Sequence, residues 1–260
     1  MALSLFDRPA VLFLPASRAS AIAKARASAA DLVILDLEDA VKPADKESAR
    51  AAAVAAVAEP WPMPVAIRVN GSGSAWHEMD VAAANASGCD LIVIPGVEAP
   101  PLRQSKPLAA MIESARGVIN APQIAEACEA LIVGTNDLAA DLRLPSIDRA
   151  AMGHALQATL LAARAAGIAV FDGVFNRLDD PAGFAAEAAQ GRALGFDGKS
   201  LIHPDQIAAC HAAFAPSEEE LARAHRLIAA ATDGAERFEG EMVEAMHVTA
   251  ARRLIARHSA

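Results

Sequence analysis

Aromatic side chains are scarce in this chain: Phe, Trp and Tyr together make up 4% of its 260 residues, and tyrosine is absent. Hydrophobic residues still reach 54%, which excludes a globally disordered chain. Alanine dominates that fraction, so helices and sheet are expected to pack closely with small side chains between them. Basic charge is also short. Lys and Arg number 23 against 32 Asp and Glu, a net charge of −9. That balance argues against nucleic acid, because neutralising phosphates needs a basic field. The three cysteines, Cys89, Cys128 and Cys210, are far apart and form no CxxC pair. Neither a zinc knuckle nor a disulfide framework is indicated. They read as small buried apolar residues in a reducing compartment. No uninterrupted apolar run approaches the roughly 18 residues of a membrane span. The N-terminus lacks a basic region followed by an apolar run and a cleavage site, so the expected location is the cytoplasm. There is no Walker sequence and no GxGxxG after a strand. No His–carboxylate cluster has zinc-like spacing.

What is present is a recurrence of short apolar runs. Eight candidate strands occur at 11–15, 31–39, 64–70, 90–95, 108–114, 129–137, 168–174 and 198–203. Most are continuous runs rather than alternations, the pattern of parallel strands buried on both faces. Helical patterns lie between them at 18–30, 45–58, 148–166 and 181–194, the last opened by Asp180-Pro181. The link at 96–107 is short, with two adjacent prolines, and a helix there is doubtful. Eight βα units in about 200 residues predict a closed (β/α)8 barrel rather than an open doubly wound sheet. The barrel is expected over residues 1–215. Residues 216–260 exceed what a barrel needs and are read as a C-terminal helical extension. Helices are expected at 205–213, 217–231 and 241–257, with a polar turn, TDGAERFEG, before the last.

Polar residues gather at the C-terminal ends of the runs: Asp36, Glu38, Asp39, Arg68, Asn70, Glu113, Ser114, Asn136, Asp137, Asp172 and His203. In a barrel these ends converge on one rim, where active sites are found. Glu113 and Asp137 lie one βα unit apart and so end neighbouring strands, about 4.8 Å from each other. Two carboxylates that close repel unless a cation or proton lies between them. Oxygen ligands with waters suit Mg²⁺. Asp137 could equally cap the helix that follows it. Arg68 ends an apolar strand and suits bidentate capture of a carboxylate, or a salt bridge to Glu38 or Asp39. Lys199 could form a Schiff base, but strand-end lysines are more often ion-paired or solvated.

RPAVLFLPASR (8–18), LDLEDAV (35–41), RVN (68–70), IESARG (112–117), GTNDL (134–138), GFDGKSLIHPDQI (195–207) and FEGEMVE (238–244) together resemble the citrate lyase β-subunit-like proteins of the HpcH/HpaI aldolase family. The likeness covers almost the whole chain in order. It implies a TIM barrel of the phosphoenolpyruvate-binding type, commonly a homotrimer, and Mg²⁺ as cofactor. By position, Glu113 and Asp137 match the family's Mg²⁺ ligands. Arg68 matches the arginine that holds the keto-acid carboxylate. Phe13 and Lys24 fall where related enzymes contact the coenzyme A thioester. Glu38 and Asp39 match acids near the metal's water. GEMVE resembles a family motif whose acid enters a neighbouring subunit's site, which gives Glu244 a catalytic role. Two departures stand out. Glu244 replaces the usual Asp, one methylene shorter. Pro95-Gly96 replaces a frequent Pro-Lys.

The activity implied is reversible carbon–carbon cleavage of a 3-hydroxyacyl thioester, such as a citryl-, malyl- or citramalyl-CoA, to an acyl thioester and a 2-keto acid. The implied partners are the keto acid and the acyl thioester, CoA-borne or carrier-bound. Two other readings remain: a metal-dependent aldolase acting on free hydroxy-keto acids, and a non-catalytic subunit that binds an acyl carrier protein.

Overall fold

The computed structural model describes residues 3–231 and 236–258. The chain divides into two compact units, Met1–Phe214 and Ala215–Ala260.

The first unit is built from β1 (Ala10–Pro15), α1 (Ala19–Arg26), β2 (Leu32–Asp36), α2 (Lys46–Val57), β3 (Val65–Arg68), α3 (His77–Ala86), β4 (Leu91–Ile94), β5 (Leu108–Ile112), α4 (Ala115–Ala125), β6 (Ala130–Val133), α5 (Thr135–Asp141), α6 (Gly153–Ala166), β7 (Ala169–Asp172), α7 (Pro181–Leu194), β8 (Gly198–Leu201) and α8 (Gln206–Phe214). The eight strands are parallel and pair in sequence order into a closed barrel. Closure comes from β1 against β8, with Val11 opposite Ser200. No helix forms between β4 and β5.

Period-2 alternation sorts each strand's side chains into two layers. Val11, Ile34, Ala66, Val93, Ile132 and Phe171 fill the barrel interior. Leu12, Val33, Ile67, Ile92, Leu131 and Val170 face the helices. Both layers are apolar, which is why the strands read as unbroken runs. The alanines of α2 and α6 lie in the outer layer and let these helices approach the sheet. Asp180 caps α7 by accepting from the Gly183 N–H at 2.8 Å, with Pro181 at the first helical position.

The observed strands stop short of the predicted ones at their C-terminal ends. β2 ends at Asp36 rather than 39, and β6 at Val133 rather than 137. The helix predicted from 148 starts at Gly153, because Asp148 accepts from the Ala150 N–H and holds a turn instead.

The second unit contains α9 (Glu218–Ala230), β9 (Glu236–Phe238), β10 (Glu241–Val243) and α10 (Ala245–His258). Ser217 and Glu220 form a reciprocal capping box at the start of α9. Part of the predicted polar turn is a hairpin: β9 and β10 pair antiparallel, with Phe238 opposite Glu241. Its turn residues, Glu239 and Gly240, have φ of 48° and 91°. A two-residue turn with both residues left-handed matches strand twist, and glycine accepts it without strain. Residues 232–235 of that predicted turn lie outside the described residues. The final helix accordingly begins at Ala245, not 241.

Candidate active site

The C-terminal rim of the barrel holds a cavity of about 340 Å³. Phe13, Asp36, Asp39, Arg68, Glu113 and Asp137 all line it. β2 and β3 supply the first charged pair, since Asp36 and Arg68 are register partners. The Arg68 Nε donates to Asp36 Oδ1 at 2.6 Å, and its Nη2 donates to Oδ2 at 2.7 Å. The Nη1 reaches Glu38 Oε2 at 2.9 Å and Asp39 Oδ2 at 3.4 Å. The Phe13 ring covers the guanidinium, with its centroid 5.4 Å from Cζ. Burial opposes the charge of Arg68, but pairing with Asp36 outweighs it and holds the guanidinium firmly protonated.

Glu113 follows the last residue of β5, and Asp137 lies in the first turn of α5. Glu113 Oε1 accepts from the Gly96 N–H at 2.5 Å, while Oε2 is buried with no donor. Oε2 packs against Gly134, where a Cβ would come within 2.3 Å of it. Only glycine leaves room there for the carboxylate. The N-cap position of α5 belongs to Gly134, so Asp137 is not the cap that the sequence left open.

The acids outnumber the bases here. Five carboxylates, Asp36, Glu38, Asp39, Glu113 and Asp137, share one arginine. Burial, then the charge of Asp137, pushes Glu113 up to about 7. Burial raises Glu38 to about 8 against the pull of Arg68. Asp137 is also raised, by burial and then by Asp39. No group of three His, Cys, Asp or Glu side chains is placed to hold a metal among the described residues. Two carboxylates do suffice for Mg²⁺, which keeps several waters. The undonated Oε2 of Glu113 and the surplus negative charge fit a hard cation.

The family profile of the HpcH/HpaI aldolase/citrate lyase group matches residues 9–101 and 102–204. This chain belongs to that family. It is 39% identical to a (3S)-malyl-CoA thioesterase of Cereibacter sphaeroides, over 96% of this chain and 94% of the relative. It is 33% identical to the citrate lyase subunit beta of Leuconostoc mesenteroides, over 95% and 92%. Among solved structures, CitE from Mycobacterium tuberculosis, in complex with magnesium, acetoacetate and coenzyme A, superposes with a TM-score of 0.87 at 35% identity. That match covers 98% of this chain and all of the other.

The family's motifs do not all meet in the cavity. Phe13, Asp39, Arg68, Glu113 and Asp137 line it, and Glu38 joins through Arg68. Lys24 is exposed on α1 and is not among the lining residues. Glu244 belongs to the second unit, where it is exposed at the start of α10, and its backbone N–H donates to His247 Nδ1.

Four rim residues expected from the sequence point elsewhere. Ser114 caps α4 by accepting from the Gly117 N–H and donates to Glu98. Asp172 faces the helices, where it pairs with Arg149 at 3.0 Å and Lys199 at 3.1 Å. Asn70 is buried against Lys46 and Asp80. His203 is exposed beside Asp205. Lys199 is fully buried and donates to Asp172, Glu187 and the Gly173 carbonyl. A Schiff base needs a free amine within reach of substrate, and Lys199 is not placed to supply one. Asp36 is the residue that sequence reasoning undervalued. Its only signal was its place among several acids at one strand end.

Proposed function

We propose that this protein is a Mg²⁺-dependent carbon–carbon lyase acting on 3-hydroxyacyl thioesters of the citryl-, malyl- or citramalyl-CoA kind. The observation that carries this reading is the rim cavity lined by Asp36, Asp39, Glu113, Asp137 and Arg68, with Glu38 paired to the arginine and three of these acids, Glu38, Glu113 and Asp137, raised chiefly by burial. The names of the relatives support the substrate class, and the ligands of CitE support both the metal and the coenzyme.

Glu113 and Asp137 would hold the metal ion. When bound, Mg²⁺ supplies Lewis-acid stabilisation of charge developing on a keto oxygen. The protein's own groups do the rest. Arg68 holds and orients the keto-acid carboxylate, and Phe13, lying over the guanidinium, excludes water from that pair. Glu38 and Asp39 orient water at the rim. Lys24, with Arg18, contacts the coenzyme's phosphates. In cleavage, the carbinol hydroxyl loses its proton and the bond to the thioester's α-carbon breaks. The electron pair moves to that carbon, which then takes up a proton. Glu244 of a neighbouring copy exchanges these protons with solvent. That role requires the C-terminal extension, residues 216–260, to pack on another subunit of a homotrimer. The cytoplasm is the proposed location, from the cysteine usage; among the described residues no helix is long and apolar enough to cross a membrane.

One observation favours a second reading. The relatives at 39% identity are named thioesterases, so the same site could hydrolyse the thioester instead. Malyl-CoA incubated with the protein and Mg²⁺ separates the two. A lyase releases acetyl-CoA and glyoxylate, whereas a hydrolase releases malate and free thiol. Cleavage of free hydroxy acids at a similar rate would show an aldolase that needs no thioester. Negligible turnover with a stable complex to acyl carrier protein would show a binding subunit. Turnover that survives exhaustive chelation would remove the metal from either reaction.

A further inference from the structure

Asp36 is 2% exposed and uses both carboxylate oxygens twice. Oδ1 accepts from Arg68 Nε at 2.6 Å and from the Glu38 N–H at 2.8 Å. Oδ2 accepts from Arg68 Nη2 at 2.7 Å and from the Ala40 N–H at 3.0 Å. With four donors, this carboxylate has little capacity left for a metal or a substrate. It takes the Nε–Nη2 edge of the guanidinium, two of the five N–H donors, and leaves one Nη2 hydrogen and both Nη1 hydrogens at the other end. Nη1 is shared by Glu38 and Asp39 at 2.9 and 3.4 Å.

We propose that Asp36 is a positioning residue for the lyase reaction: by taking the Nε–Nη2 edge it turns Arg68 so that the Nη1–Nη2 end meets the keto-acid carboxylate. The same carboxylate anchors the loop that carries Glu38 and Asp39. The inference rests on the lyase reading above. An arginine with a free fork grips a carboxylate bidentately. Here the side fork is taken inside the protein, so the substrate is held at the end-on fork of Nη1 and Nη2, where Glu38 and Asp39 now pair. Selectivity follows from this. A planar keto-acid carboxylate fits an end-on fork whose direction is fixed by a buried pair.

Calorimetric titration of the full-length protein with pyruvate at saturating Mg²⁺ tests the proposal. Asp36→Asn and Arg68→Lys should each weaken pyruvate binding at least tenfold, with the Mg²⁺ dissociation constant changed less than threefold. The double variant should be no more than twofold weaker than the worse single one, because both changes break one contact. Effects that multiply in the double variant, or an Asp36→Asn protein that binds pyruvate like the unsubstituted chain, overturn the inference. Should Asp36→Asn fail to fold, the unsubstituted chain still decides. Its Arg68 Nε–H proton should exchange far more slowly in NMR than that of the exposed Arg103, and exchange at the Arg103 rate overturns the proposal. If the unsubstituted chain fails to bind pyruvate with Mg²⁺ present, the lyase reading falls, while the Nε–H exchange rate still judges Asp36 separately.

Discussion

Two buried ionic networks lie within one βα unit of each other in this barrel, and they differ in charge balance. The outer one sits between sheet and helices. Lys199 and Arg149 face Asp172 and Glu187 there, two cations for two acids. The rim network sets Arg68 alone against Asp36, Glu38, Asp39, Glu113 and Asp137. A charge-balanced network needs no further ion and ties elements together. An acid-rich one keeps an excess of negative charge that a cation or protons would offset. The comparison separates two strand cations, Lys199 and Arg68, that look alike in sequence. Lys199 is a clamp between β7, β8 and α7, and Arg68 is one wall of a cavity.

The largest expected effect tests the unbalanced side. Glu113→Ala or Asp137→Ala should lower kcat/KM by about a thousandfold or more, about 4 kcal/mol. Titration calorimetry should show Mg²⁺ binding lost as well. Thermal stability should hold or rise, because one member of a repelling cluster is gone. Persisting Mg²⁺ affinity in either variant would show that the two acids are not its ligands.

The next effect tests the balanced side. Lys199→Met leaves Asp172 and Glu187 without their ammonium. Breaking a buried pair in this way costs about 3–5 kcal/mol, readable by urea denaturation. The folded fraction should bind Mg²⁺ normally. A variant of unchanged stability that loses metal binding would merge the two networks into one site.

Proton linkage gives a smaller, signed effect. Glu113 and Glu38 sit near 7 and 8, above their usual range. A carboxyl raised on folding contributes stability that is present below its unfolded value and is lost as pH rises through the folded value. Metal-free protein should therefore melt at a lower temperature at pH 8.5 than at pH 5.5. Glu113→Gln should shrink that drop, and Mg²⁺ should offset it. In the same way, Mg²⁺ affinity should decline as pH falls below about 7, where the cation competes with a proton on Glu113. A melting temperature that climbs over this range would reverse the assignment.

The smallest effect concerns Lys24. An exposed cation contributes about 1 kcal/mol or less. Lys24→Ala should raise the KM for the CoA thioester a few-fold and leave that for the keto acid unchanged. No change in either would free Lys24 from any contact with the coenzyme.

Much of this was legible along the chain. All eight strands were, because two apolar layers make every strand a continuous run. The carboxylates Glu113 and Asp137 were also legible, as strand-end acids one βα unit apart and as parts of motifs. Their strand ends were overextended, because an apolar run carries on into the loop after the pairing stops. The β9–β10 hairpin was read as a turn, since three-residue strands around Glu239-Gly240 carry little pattern. Asp172 was placed on the rim because a strand end shows that a polar residue is present without showing its face. It takes the same face as Val170, toward the helices. Asp36 takes the face of Ile34, toward the interior.

The order of apolar runs and motifs determined by itself that this is a (β/α)8 barrel of the HpcH/HpaI family, with acids and one arginine at the strand ends. Hydrophobic burial on both faces of a strand writes itself into local sequence. Tertiary structure alone decided which of those charges meet. Which edge of its guanidinium Arg68 offers depends on Asp36, 32 residues earlier and on the neighbouring strand. That choice is made by pairing and burial in three dimensions, where a charge takes whichever partner spares it the cost of desolvation.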